Sequence, residues 1–125
     1  MALNFGTYFL QKREERGILL REMAQQLGIS APYLTDVEHG RRNPFDLEKL
    51  TKAMDILELS KEERDQMLDL AGESRDSIAP DLPGYIRGRG VVAAALRTAR
   101  DLEADDEDWE TFIAQLKKKK SHKKT

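Results

Sequence analysis

The stretch LREMAQQLGISAPYLTDVE, Leu20 to Glu38, decides the fold. Its small and apolar residues recur where two helices must cross at a tight turn. Ala24 is small enough for close helix contact, Gly28 admits the positive backbone angle of the turn, and Ile29, Leu34 and Val37 return to a common core. Ser30 has the side chain of an N-cap for the second helix. The stretch therefore reads as a helix-turn-helix, with helices over Leu20–Leu27 and Ser30–His39.

Working outward, Asn4–Arg16 reads as a helix that places Phe5, Phe9 and Arg13 on one face, with Gly17 stopping it. After Pro44, Leu47, Leu50, Met54 and Leu57 recur at spacings of three and four. They predict a fourth helix with one apolar stripe, capped by Asp46. Ser60-Lys61-Glu62-Glu63 is a capping-box sequence, so a fifth helix is expected from about Lys61 to Ala71, ending at Gly72. Residues 73–84 carry Ser74, Ser77, Pro80, Pro83 and Gly84 and read as a linker. Helical patterning returns over 85–120. Val92, Leu96 and Ala99 share one face there, and Trp109, Phe112, Ile113 and Leu116 form a stripe after the acidic break at Asp105 and Asp106. Neither helix can bury its stripe alone, which leaves packing on the first domain, pairing in a dimer, or docking of a partner. The run KKKKSHKKT is of low complexity, and 121–125 is expected to be a disordered basic tail.

Composition bounds the function. A chain of 125 residues holds one main core. It has no cysteine, which suits a reducing cytoplasm and removes disulfides and thiol nucleophiles. No apolar run approaches the roughly 20 residues needed to cross a bilayer, so a soluble, cytoplasmic protein without membrane attachment is expected. His39 and His122 lie in no metal-binding spacing, and no phosphate loop or nucleophile elbow is present. Neither an enzyme, a metal site nor a cofactor is expected. The 21 basic and 23 acidic side chains leave a formal charge of −2, but the balance is local. Asp101–Glu110 holds seven acids and no base, whereas Lys117–Lys124 holds six lysines and no acid. A surface for nucleic acid must then come from local clustering of basic residues.

The motif, followed by Glu38-His39-Gly40-Arg41-Arg42-Asn43-Pro44, resembles the Xre family of phage-repressor-like regulators, which carry a Glu-x-Gly step and a phosphate-binding loop there. The resemblance covers the first 72 residues. It implies an all-α protein, a five-helix lambda-repressor-like DNA-binding domain over 1–72, followed by a short C-terminal helical extension. It also implies that Arg13 and Glu38 form a structural ion pair bracing the recognition helix.

In such a motif the second helix enters the major groove, and its first turns reach base edges. The expected DNA-binding set is Arg21, Ser30, Ala31, Pro32, Tyr33, Thr35, Asp36, His39, Arg41, Arg42 and Asn43. Arg21, Arg41, Arg42 and Asn43 are assigned to phosphates. The family commonly carries amides where this chain has Ala31 and Pro32, so apolar contact with thymine methyls replaces hydrogen bonds at those two positions. Asp36 either accepts from cytosine or faces a basic neighbour. A capping Ser or Thr is also replaced, by Leu19. The expected function is an autoregulating, homodimeric repressor of a double-stranded DNA operator. Its rival is an antitoxin or immunity protein whose C-terminal helices, through Val92, Leu96, Trp109, Phe112, Ile113 and Leu116, engage a toxin or metallopeptidase.

Overall fold

Four of the first five helices begin at a side chain that satisfies an otherwise unpaired backbone N–H. In a computed structural model describing residues 3–121, Asn4 accepts from the Thr7 amide at 3.0 Å, Ser30 from Tyr33 at 3.1 Å, Asp46 from Lys49 at 3.0 Å and Ser60 from Glu63 at 3.2 Å. The helices that follow are α1 (Phe5–Glu15), α3 (Ala31–Glu38), α4 (Leu47–Ile56) and α5 (Lys61–Ser74). α2 (Leu20–Leu27) starts without a side-chain cap. Its Leu19 is 55% exposed, and only the reverse half of a capping box is present, Leu19 N–H donating to Glu22 Oε1 at 3.3 Å.

The core lies where α1 to α5 meet. Phe5, Phe9, Met23, Leu34, Val37, Leu50, Leu57 and Met67 are buried. Phe45, from the loop before α4, closes an aromatic cluster with Phe5 and Phe9, its ring centroid 5.9 and 5.3 Å from theirs in edge-on contacts. Gly6 lets α1 lie directly on the end of α3. A Cβ there would sit 2.5 Å from the Glu38 carbonyl oxygen and 2.7 Å from that of Val37.

The structure corrects three expectations. Leu47 is 39% exposed, and Ala53 takes the fourth place on the buried stripe of α4. α5 runs through Gly72 to Ser74. Gly72 is a contact glycine rather than a stop, since a Cβ would meet Ile78 and Ala79 backbone atoms at 2.7 Å. Finally, the expected linker over 73–84 is structured. The chain turns back through Asp76 at φ 53°, the Ser77 amide donates to the Gly72 carbonyl at 2.8 Å, and Ala79 is buried in the core. A short α6 (Leu82–Ile86) follows. The first compact unit accordingly extends to Tyr85 rather than stopping at Gly72.

The second unit begins at Ile86 and contains α7 (Gly90–Asp101) and α8 (Asp106–Ser121). Glu103, at φ 57°, and a bond from the Ala104 amide to the Ala99 carbonyl at 2.8 Å end α7. Asp105 and Asp108 cap α8 reciprocally at 2.9 and 3.0 Å. Neither helix has a buried residue. Of the expected basic tail, Ser121 ends α8, and 122–125 lie outside the described residues.

Polar ties close the first unit. Lys12 Nζ reaches Glu63 Oε2 at 2.8 Å, joining α1 to the start of α5, and Arg16 Nε donates to the Leu57 carbonyl at 2.7 Å, joining the end of α1 to the end of α4. The Lys12 hydrogen bond, helped by the Ser60 backbone N–H, lowers the Glu63 carboxyl to about 2.

Two outcomes follow from these ends. Leu19→Thr supplies the missing acceptor at an exposed position and raises stability by about 0.5–1 kcal/mol in urea denaturation; a lower midpoint would show that the leucine packs. Because the folded Glu63 value lies below the ordinary carboxylate value, its contribution is full above about pH 4.3 and is lost as pH falls toward about 2. Glu63→Gln should flatten that limb of the melting-temperature profile recorded by circular dichroism. An unchanged acid limb would show that the tie is inert.

Candidate nucleic-acid interface

Gly28, at φ 71°, ends α2, and the Ile29 amide donates back to the Ala24 carbonyl at 3.0 Å. These bonds set the turn into α3, where Ser30 caps and Pro32 occupies the first turn, which needs no amide there. One face of α3 is buried through Leu34, Val37 and Glu38. Pro32 and His39 are exposed on the opposite side, and Ala31, Thr35 and Asp36 are half-buried.

The α3 end is held by the ion pair expected from the resemblance. Arg13 Nε and Nη2 donate to the two Glu38 oxygens at 2.7 and 3.0 Å, and Nη1 donates to the Ile18 carbonyl at 2.9 Å. Both residues are buried. The Glu38 hydrogen bonds hold the Arg13 guanidinium above its ordinary value, against the opposing effect of burial. The pair therefore fixes the recognition helix to α1 through two parallel bonds that also set its rotation.

Past α3 the chain turns at Gly40, φ 77°, into the basic loop. Arg41 folds back, its amide donating to the Asp36 carbonyl at 2.8 Å and its Nε to the Asp36 carboxylate at 3.0 Å. Asp36 thus has the basic neighbour that was one of its two readings. The Arg42 guanidinium lies over the Tyr33 ring, 4.5 Å from the centroid. A groove of about 450 Å³ is lined by Tyr33, Gly40, Arg41, Arg42, Asn43, Pro44 and Arg75. It has three guanidiniums and no acid among its walls, and so suits an anion such as a phosphate.

Of the expected set, Tyr33, Arg41, Arg42 and Asn43 meet at this groove. Ser30 acts as a cap, and Arg21 is exposed in the first turn of α2. Sequence reading missed Arg75, which donates from Nη2 to the Pro44 carbonyl and so pins the loop from the end of α5. It also missed the stacking of Arg42 on Tyr33. Val92 and Ala93 are half-buried on α7, whereas Leu96 and the Trp109, Phe112, Ile113 and Leu116 stripe of α8 are exposed.

Residues 4–67 match the family described as helix-turn-helix domain. The chain belongs to that family. The helix-turn-helix identity read from residues 20–38, and the DNA-binding regulator class that it implies, are thereby supported. A curated relative, the HTH-type transcriptional regulator DdrOP3 of Deinococcus deserti, is 53% identical over 32 residues, which are 26% of this chain. The match spans only 25% of that relative's length. Among solved structures, a chain from a SinR protein/SinI protein complex aligns with 94% of this chain and 98% of its own at 21% identity and a TM-score of 0.46. Among the described residues no helix is long and apolar enough to cross a membrane, and no acidic or histidine cluster has the geometry of a metal site.

Removing Glu38 tests the brace. Glu38→Ala leaves a buried guanidinium without its partner and should cost about 3–5 kcal/mol, whereas replacing Arg13 by Met and Glu38 by Leu together should cost much less. Equal losses in chemical denaturation would mean that the pair supplies stability rather than alignment.

Proposed function

We propose that the chain is a dimeric, cytoplasmic transcriptional repressor whose first unit binds one operator half-site. The observation that carries this reading is the acid-free groove of Arg41, Arg42, Asn43 and Arg75, set directly beyond the outward face of α3. With α3 in the major groove, this loop meets the flanking phosphates. Guanidiniums there supply affinity without reading sequence. Arg21, at the positive end of α2, adds a second phosphate contact.

Base reading falls to Ala31, Pro32, Thr35, Asp36 and His39. Ala31 and Pro32 offer methyl and ring carbons to thymine methyls, and Thr35 offers a hydroxyl. The Arg41 contact partly neutralises Asp36 and lowers the cost of carrying a carboxylate toward the phosphate backbone. Tyr33 orients Arg42 by stacking, so its role is to position the cation rather than to read a base. Two-fold symmetry then places half-sites about 34 Å apart, one helical turn.

A second reading has its own observation. The exposed stripe of Trp109, Phe112, Ile113 and Leu116 offers a protein-docking face, as an antitoxin or immunity protein would need for a toxin or a metallopeptidase. DNA binding then serves autoregulation, and the groove keeps the same role.

Binding of the chain to the DNA upstream of its own gene, with and without Arg42→Ala at two salt concentrations, tests the first reading. Tight protection of two symmetric half-sites is expected. The variant should weaken binding on all sequences alike and lower the salt slope by about one unit. A loss confined to one sequence would reassign Arg42 to base reading. Weak binding indifferent to sequence would favour the second reading.

A further inference from the structure

The order of residues along α8 says what covers its exposed stripe. Counted outward from the midpoint between Phe112 and Ile113, the large apolar residues fall at the same steps in both directions, and the blocks beyond them are opposite in charge. Phe112 and Ile113 come first, then Thr111 and Ala114, then Glu110 and Gln115. Next stand Trp109 and Leu116, both apolar. Beyond them the block from Asp108 back to Asp105 is wholly acidic, and the block from Lys117 to Lys120 is wholly basic. A helix with this order is complementary to itself when turned end over end.

We propose that α8 pairs with α8 of a second copy, antiparallel, about a two-fold axis through the Phe112–Ile113 midpoint. At 100° per residue the four apolar side chains share one face. On that face Trp109 of one copy lies level with Leu116 of the other, and Phe112 with Ile113. Asp106 and Lys117 project from one edge of the stripe, and Asp108 and Lys119 from the other. In the antiparallel pair each edge meets its own counterpart. Asp106 therefore comes beside Lys117 of the second copy, and Asp108 beside Lys119. Glu107 and Lys118 point away from the contact. A parallel pair would instead set acid on acid and lysine on lysine, so the charge order selects direction as well as partner.

Helix-dipole preference explains acids in the first turn and lysines in the last. It does not require an exposed apolar stripe centred between the two blocks. Nor are the charges used at home: among the described residues none of these acids or lysines forms an ion pair, and Asp105 and Asp108 only exchange their capping bonds. The contact of two 16-residue helices is small beside a standard interface, so the association is modest and salt-sensitive. The inference deepens the dimeric reading above by naming the partner and its direction, and it requires no DNA.

Sedimentation equilibrium of the full chain without DNA tests it, with helicity checked by circular dichroism. A dimer is expected, weakened roughly tenfold by high salt. Asp106→Lys with Asp108→Lys, or Lys117→Glu with Lys119→Glu, should each abolish it, and mixing the two variants should restore a heterodimer. Glu107→Lys with Lys118→Glu, on the outward side, should leave it intact. Direction is read by disulfide formation in this cysteine-free chain. Asp106→Cys mixed with Lys120→Cys should cross-link, and neither should do so alone. A monomeric parent, cross-links within a single variant, or equal loss in the outward control would overturn the pairing. Failure of operator binding in the same preparation would leave it standing, so the two readings fail separately.

Discussion

The buried bond between Arg13 and Glu38 is the constraint on which the functional half of the molecule turns. It joins the third turn of α1 to the last residue of α3, and its two parallel contacts fix rotation as well as distance. A helix held only by Leu34 and Val37 would be free to roll on a greasy surface. Such a roll would carry Thr35 and Asp36 round with it and change what the outward face of α3 presents. Desolvation offsets much of the attraction between the two charges, so the bond contributes orientation more than stability. The Ile18 carbonyl takes the remaining guanidinium edge, and the site leaves no buried polar side-chain atom without a partner.

Charge is handled locally throughout the chain. The net value is slightly negative, yet Arg41, Arg42 and Arg75 line one groove with no acid among its walls, and Asp36 on α3 is paired with Arg41. Stacking on Tyr33 then directs Arg42, and Arg75 holds the loop by its Pro44 carbonyl. α8 shows the opposite arrangement, with blocks of both signs that form no ion pair among the described residues. In the proposed readings, one region has its charges organised around a polyanion and the other around a second copy of the chain.

What the sequence made legible was local. Asn4, Asp46 and Ser60 stand immediately before helical periodicity, and Gly17 and Gly28 stand where it breaks, so five helices could be placed from neighbours alone. Arg41, Arg42 and Asn43 were legible because they follow the motif directly. Leu47 was misjudged because it lies in the first turn of α4, where a residue of the right period can still overhang the core. Gly72 was misjudged because a stop and a close crossing leave the same letter, and only the return of Ile78 and Ala79 distinguishes them. Arg75 and Phe45 had no local signal at all. Each acts across more than thirty residues of chain, Arg75 on Pro44 and Phe45 on Phe5 and Phe9. The order of classes along α8 was visible as letters, but it gained meaning only once the helix ran unbroken through the lysines.

Gly6 brings α1 against the final carbonyls of α3 with no side chain between them, and the crossing is therefore made by backbone. The inner face of α3 is committed to that crossing through Val37 and Glu38, whereas Ala31, Pro32, Thr35 and His39 take no part in it. The two sides of one eight-residue helix thus carry separate constraints. On the proposed reading, substitutions on the outer side would change base contacts while leaving that crossing intact. Gly6 admits no side chain at all, and Glu38 can change only together with Arg13.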